Sequence, residues 1–302
     1  MRPGIDTDTT SNRALVSRSR GFRLFGILIV SLSLFVGGCS STKLLYNQID
    51  WLTVWYLDDY FDLDSDQEDE LRDMVRANLD WHRQTQLPRY AEFLREVELQ
   101  AQSPVTPEMA EQNYWRVIDF WDDFMLHIVP DSYRFLTLLS DEQISELFEN
   151  LEESNQEMYE EYSGQTAEQR EANRNRVTIK MVQRFTGKLN KEQKLFIAES
   201  LDGMQDASED WVKNRREWQV QYRHLLESRP PKDEYIAELE RLFATPRSAD
   251  TAEYQERIDH NLEVSFDMTS TLLNDLTDKQ RKRMRKRFMN LAEDFDALSA
   301  GS

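Results

Sequence analysis

Cys39 is the one thiol in 302 residues, and its neighbours assign it a chemistry. Arg13, Arg18, Arg20 and Arg23 precede an apolar run from Leu24 to Val36, and Val36-Gly37-Gly38-Cys39 closes it. A basic stretch, about a dozen apolar residues and small residues at a cleavage point make a secretory signal. Val-Gly-Gly-Cys fits the bacterial lipobox, in which the thiol is acylated with diacylglycerol and becomes the new N-terminus. The apolar run is shorter than the roughly 20 residues that span a bilayer. Residues 1–38 are therefore expected to be a lipoprotein signal peptide, and the membrane to be met through lipid on Cys39. Ser40 and Ser41 follow the cysteine, where an inner-membrane retention signal would place aspartate. The expected location is the periplasmic leaflet of the outer membrane.

Little else in the chain has the types and spacing of a reactive site. His82, His127, His224 and His260 are isolated, so no pair has zinc-ligand spacing. Only Gly164, Gly187, Gly203 and Gly301 lie beyond the signal, too few for a phosphate-cradling loop. Asp62, Asp64 and Asp66 mimic positions one, three and five of an EF-hand, but Gln67 replaces its glycine and Asp73 its closing glutamate. With 56 acidic side chains, no carboxylate pair stands out as acid and base. No catalytic residue, metal or cofactor is expected, and the chain reads as a non-enzymatic binding or structural scaffold. The alternative is an envelope hydrolase, or an activator of one, whose catalytic residues the sequence does not single out.

Charge narrows the partners. The chain carries −19, and residues 1–38 carry +3, which leaves −22 on the remainder. Such a surface repels nucleic acid and anionic headgroups. One segment opposes this trend, the run from Lys279 to Arg287 that includes Arg281, Arg283 and Arg285. It either neutralises acidic helices of its own fold or binds an envelope protein or anionic envelope polymer; nucleic acid is not an expected partner.

These residues must be carried by helices. Strand-like alternation is absent, and apolar residues recur at three and four, as in Leu71, Met74, Val75 and Leu79, or Trp211, Arg215, Trp218, Tyr222 and Leu225. The expected fold is all-α, an elongated bundle of about nine helices near 44–61, 65–100, 107–138, 141–163, 167–186, 191–228, 232–244, 249–275 and 278–298. Pro88 and Pro130 are expected to kink or break their helices. Trp51, Trp55, Tyr56 and Tyr60, just after the anchor, read as core packing, with a place at the membrane interface as the alternative. Trp81, Trp115, Trp121, Trp211 and Trp218 also read as core.

A short repeat punctuates the helices. Leu63-Asp64-x-x-Gln67, Leu139-Ser140-x-x-Gln143, Leu189-Asn190-x-x-Gln193 and Leu276-Thr277-x-x-Gln280 each combine a leucine, an N-cap residue and a glutamine. The spacing is that of a capping box, in which cap and third helical residue exchange hydrogen bonds. The motifs lie 76 residues apart in the first half and 87 in the second, which suggests a duplication into halves 39–163 and 164–302. Reuse of one good cap is the alternative.

Leu276-Thr277-x-x-Gln280, and more loosely the other copies, resembles the signature of the periplasmic Spy/CpxP family. That resemblance implies an all-helical envelope protein with a chaperone-like role toward unfolded clients. The lipobox followed by Leu44-Leu45-Tyr46-Asn47, Asp50-Trp51-Leu52 and Trp55-Tyr56-Leu57-Asp58-Asp59-Tyr60-Phe61 is similar to a family of uncharacterised proteobacterial lipoproteins. It implies location and no activity.

Overall fold

A computed structural model describes residues 46–244 and 251–301. Cys39 and the signal segment lie outside the described residues. Among the described residues all regular structure is helical, so the chain is an all-α bundle. Ten helices follow one another among the described residues: α1 Ile49–Phe61, α2 65–100, α3 Pro107–Leu136, α4 Asp141–Ser163, α5 Ala167–Thr186, α6 Lys191–Asp202, α7 Ser208–Ser228, α8 Lys232–Ala244, α9 Ala252–Asn274 and α10 Asp278–Ser299.

The tenth helix arises because 191–228 is two helices and not one. The segment from Gly203 to Ala207 leaves the helix, and α9 holds it there. Asn261 accepts the Gln205 N–H at 2.8 Å and donates to the Gln205 carbonyl at 2.9 Å, while His260 Nε2 lies 3.0 Å from the Gly203 carbonyl. Apolar spacing resumes at Trp211 on the far side, so the stripe reads as continuous although the backbone is not.

Neither proline breaks its helix. Within α2, Ser65–Trp81 passes into a π turn, His82–Gln86, before Leu87–Gln100 resumes α geometry. The Leu87 N–H reaches back five residues to the His82 carbonyl, which lets the helix absorb Pro88. The Thr85 hydroxyl donates to the Trp81 carbonyl at 2.8 Å, closing one carbonyl of the disturbed turn. Pro130 lies inside α3 with an exposed ring, and Leu126, whose carbonyl the proline cannot pair, is on the exposed side too.

His82, at the start of the π turn, is partly buried. Its Nδ1 lies 2.8 Å from the Tyr46 hydroxyl, and the rings of Tyr90 and Phe124 meet it edge-on. Burial first, and the Arg83 cation second, lower its pKa from 6.5 to about 4. Unfolded, the imidazole takes its proton near pH 6.5; folded, only near pH 4. Between those values the unfolded chain binds more protons, so acid favours unfolding by a total of about 2–3 kcal/mol at the lower end. Urea titrations from pH 7 to pH 4 should show a steeper loss of stability for the natural chain than for His82→Gln. Equal slopes would remove the histidine from the account.

The four repeated motifs do more than start helices. Asp64, Ser140, Asn190 and Thr277 each accept the amide of the glutamine three residues on. Each glutamine accepts its own cap's N–H in return. The side-chain amides then meet in pairs. Gln67 and Gln143 exchange hydrogen bonds of 3.0 and 2.6 Å, and Gln193 and Gln280 do so at 3.0 and 2.8 Å. Each also donates to the carbonyl just before its partner's leucine: Gln67 to Leu138, Gln143 to Asp62, Gln193 to Asp275 and Gln280 to Lys188. One side chain thereby caps its own helix and fastens it to another, α2 to α4 and α6 to α10. Leu63, Leu139, Leu189 and Leu276 are buried beside these pairs, as are Leu71, Leu147, Ile197 and Met284 eight residues later.

Packing follows from these joints. The largest core gathers α1, the start of α2, the end of α3, α4, α7 and α8 around buried Phe61, Leu136, Ile144, Leu226, Leu239 and Leu242. A second core sets α10 against the later part of α2, where fully buried Ala91 and Ala292 let the backbones approach. Leu189, Ile197, Leu201 and Leu272 join α5, α6 and α9 in a third. Three tryptophans expected in the core stand substantially exposed instead, Trp115, Trp121 and Trp211. Trp51 is 55 % exposed and stacks on Trp55, itself exposed, so neither fills the core as expected. On those faces the apolar period outruns the neighbours available to cover it.

Candidate binding cavity

Four helices line a cavity of about 640 Å³ that is open to solvent on one side. From α1 come Tyr56 and Tyr60, one turn apart, with ring centroids 5.3 Å from each other. From α7 come Trp211, Arg215, Trp218 and Tyr222, spaced four, three and four residues apart and hence on one face. Leu147 and Leu151 of α4 and Tyr254 and Ile258 of α9 complete the apolar lining. The walls are held in place. Trp218 stacks on Tyr222 with centroids 5.1 Å apart, and its Nε1–H donates to the Leu242 carbonyl at the end of α8 at 3.0 Å. Burial raises the pKa of the Tyr222 hydroxyl, so it stays a neutral phenol.

The polar groups of this cavity are unequally served. Gln219 and the fully buried Asn155 exchange hydrogen bonds at 2.7 and 3.4 Å. Asn214 is engaged as well. Arg215 differs: its Nε is occluded without an acceptor, and its guanidinium makes no ion pair among the described residues. What faces it is the Trp211 ring, 5.7 Å from the guanidinium carbon. Burial lowers its pKa below the usual arginine value, opposed by the nearby Tyr60 and Tyr56 hydroxyls. The next residue shows the contrast, for Arg216 reaches Glu152 through two nitrogens at 3.1 and 2.7 Å. An apolar, aromatic chamber with one unneutralised cation is suited to holding a ligand.

The arginines singled out from sequence lie elsewhere. Arg281 donates to the carbonyls of Ala101, Asn274 and Leu276 at 3.3–3.4 Å, closing the ends of α2 and α9. Arg285 is hydrogen-bonded to Glu98 of α2, and Arg287 donates to the Arg184 carbonyl near the end of α5 at 3.1 Å. The Arg283 stem covers Gly187, where φ is +83° and an added Cβ would stand 3.0 Å from the arginine's Cδ. Lys279, Lys282 and Lys286 are exposed. The basic run and the cavity are thus separate features. In the sequence Arg215 is one position of the stripe Trp211, Arg215, Trp218, Tyr222 and Leu225, and a charge at an otherwise apolar position is the available signal.

Fold and cavity define an all-helical protein with an aromatic chamber. The chain belongs to DUF6279, a family of unknown function, which it matches over residues 59–255. That span carries three of the four Leu-cap-x-x-Gln motifs and most of the cavity lining, and ends before α10. Comparison with curated proteins and with solved structures returns no match.

Proposed function

We propose that this chain is a lipid-anchored protein of the outer membrane that works as a non-enzymatic helical scaffold and binds a ligand in the α1–α4–α7–α9 cavity. The observation that carries this reading is the cavity, whose tryptophan and tyrosine walls are fixed by hydrogen bonding and stacking. A mostly apolar cleft with few polar groups is the general form of a small-ligand site. The anchor rests on the Val36-Gly37-Gly38-Cys39 lipobox and the serines after it. The Leu-Thr-x-x-Gln resemblance to Spy/CpxP supports service to other envelope molecules, including a chaperone-like one.

Two measurements test the reading. Cells given labelled palmitate should mark the natural chain and leave Cys39→Ala unlabelled and no longer stably attached to membrane; label that persists in Cys39→Ala would end the anchor claim. For the cavity, the natural protein extracted from envelopes should carry a small molecule detectable by mass spectrometry. Leu151→Trp, which fills the chamber, should lack it. The same extract from both proteins would leave the cavity without a role.

A further inference from the structure

We infer that the cavity takes a single-chain carboxylate amphiphile, its acid group on Arg215 and its apolar chain between the α7 aromatics and the α4 leucines. The inference rests on the cavity being the binding site proposed above. It starts from the state of Arg215. Arg215 is only partly buried, but its Nε–H is shut off from water with no acceptor, and such a donor needs an anion or another acceptor to offset its desolvation. In this acidic chain other arginines of α7 and α8 find one: Arg216 has Glu152, Arg223 has Glu227 and Arg241 has Glu238. Arg215 has none among the described residues, although 56 acidic side chains were available to evolution for the purpose. The Trp211 face offsets little, since a cation–π contact at a partly exposed site contributes about 0.5–1 kcal/mol. A missing counter-charge inside a formed chamber is the complement of a ligand's negative charge.

The remainder of the lining fixes the ligand's body. Gln219 is taken by Asn155 and Asn214 is engaged, so few uncommitted amides remain for the hydroxyls of a sugar. A polyhydroxyl ligand would leave its groups stranded against Leu147, Leu151 and Ile258. A cationic ligand would meet Arg215 as a like charge. An acyl chain finds apolar walls, and each buried methylene contributes about 0.8 kcal/mol. One acid group and one apolar chain satisfy both halves of the chamber.

The test is a titration of the full chain carrying Cys39→Ala, followed by the fluorescence of the cavity tryptophans. Dodecanoate should quench or shift that fluorescence saturably. Dodecan-1-ol, equal in chain and lacking charge, should bind at least about tenfold more weakly, the size of one charge-assisted contact. Arg215→Gln should bring the two ligands together, and Arg215→Lys should keep part of the preference. The melting temperature of Arg215→Gln should be equal or higher, because an unneutralised cation has been removed. Equal affinity for the acid and the alcohol in the Arg215 protein would overturn the inference and leave the cavity reading intact. Failure of both ligands to give a saturable change would overturn both.

Discussion

Gln193→Ala is expected to destabilise the chain by about 4 kcal/mol, more than most single substitutions do. The side chain is 1 % exposed and makes four hydrogen bonds. Its Oε1 accepts the Asn190 N–H that begins α6 at 3.1 Å and the Gln280 amide at 2.8 Å, while its Nε2 donates to Gln280 and to the Asp275 carbonyl. Truncation strands the Asn190 donor and deprives the Asp275 carbonyl of its partner, each at a cost of about 1–3 kcal/mol before relaxation. It takes one bond from each half of the Gln280 amide, which keeps Thr277 and the Lys188 carbonyl. It also removes side-chain packing beside Leu189 and Ile197. For a body of this size the loss corresponds to a fall of roughly 10 °C in melting temperature. Gln193→Leu/Gln280→Leu separates the pair from the caps. Two apolar groups of similar shape leave neither side-chain amide facing an apolar partner, while each cap N–H is lost in single and double variants alike. The double variant should therefore cost less than the sum of the two single leucine variants by about 1–3 kcal/mol. Additive losses would mean that the two amides act independently and that the joint between α6 and α10 is incidental.

The companion pair gives an internal comparison. Gln67 and Gln143 make the same set of bonds, but Gln143 is only partly buried. Water can replace what its partner loses there, so Gln143→Ala should cost well under half of what Gln193→Ala costs.

The same motifs show why sequence reading reached one level and not the next. Cap and glutamine lie three residues apart, so the box that starts α2, α4, α6 or α10 is a local matter written in five residues. The amide pairing joins Gln67 to Gln143 across 76 positions, and no periodicity points from one to the other. Burial of the glutamines was the missing fact, because an exposed N3 glutamine needs no second partner and a buried one does. The cavity failed to emerge for a similar reason. Trp211, Arg215, Trp218 and Tyr222 announce a helical face, but a face becomes a chamber only when α1, α4 and α9 stop short of filling it. The break at Gly203 was hidden because apolar spacing on both sides matches one helix. What holds the turn, Asn261, comes from 56 residues away. Helix starts, apolar faces and the all-α class are properties of neighbours in sequence; joints and vacancies belong to neighbours in space.

The second large effect is expected from Arg285→Ala, about 2–3 kcal/mol of destabilisation, and it decides what the basic run is for. Arg285 bonds Glu98, whose side chain is 11 % exposed on the helix that α10 covers. Removing the cation leaves a nearly buried carboxylate with only the Gln102 amide, 3.3 and 3.4 Å away. Breaking a buried pair from one side is costly because the remaining charge stays desolvated. The figure lies below the roughly 3–5 kcal/mol of a fully buried pair because the arginine itself is 45 % exposed and its charge is screened by water. Two further variants make the cause visible. Glu98→Gln/Arg285→Ala removes the stranded charge and should recover a good part of the loss. Lys282→Ala, on the exposed side of the same helix, should change the urea midpoint little. Arg281→Ala should also lower the midpoint, through the helix ends at Ala101 and Asn274 whose carbonyls it closes. If instead Arg281→Ala and Arg285→Ala both melted like the natural chain and only lost association with the envelope, the run would serve a partner. The contacts on the inner side of α10 then would be consequences of where the helix lies and not reasons for it. The geometry argues the other way: three arginines of one helix reach the ends of α2, α5 and α9, and a solvent-directed binding strip has no need of that arrangement.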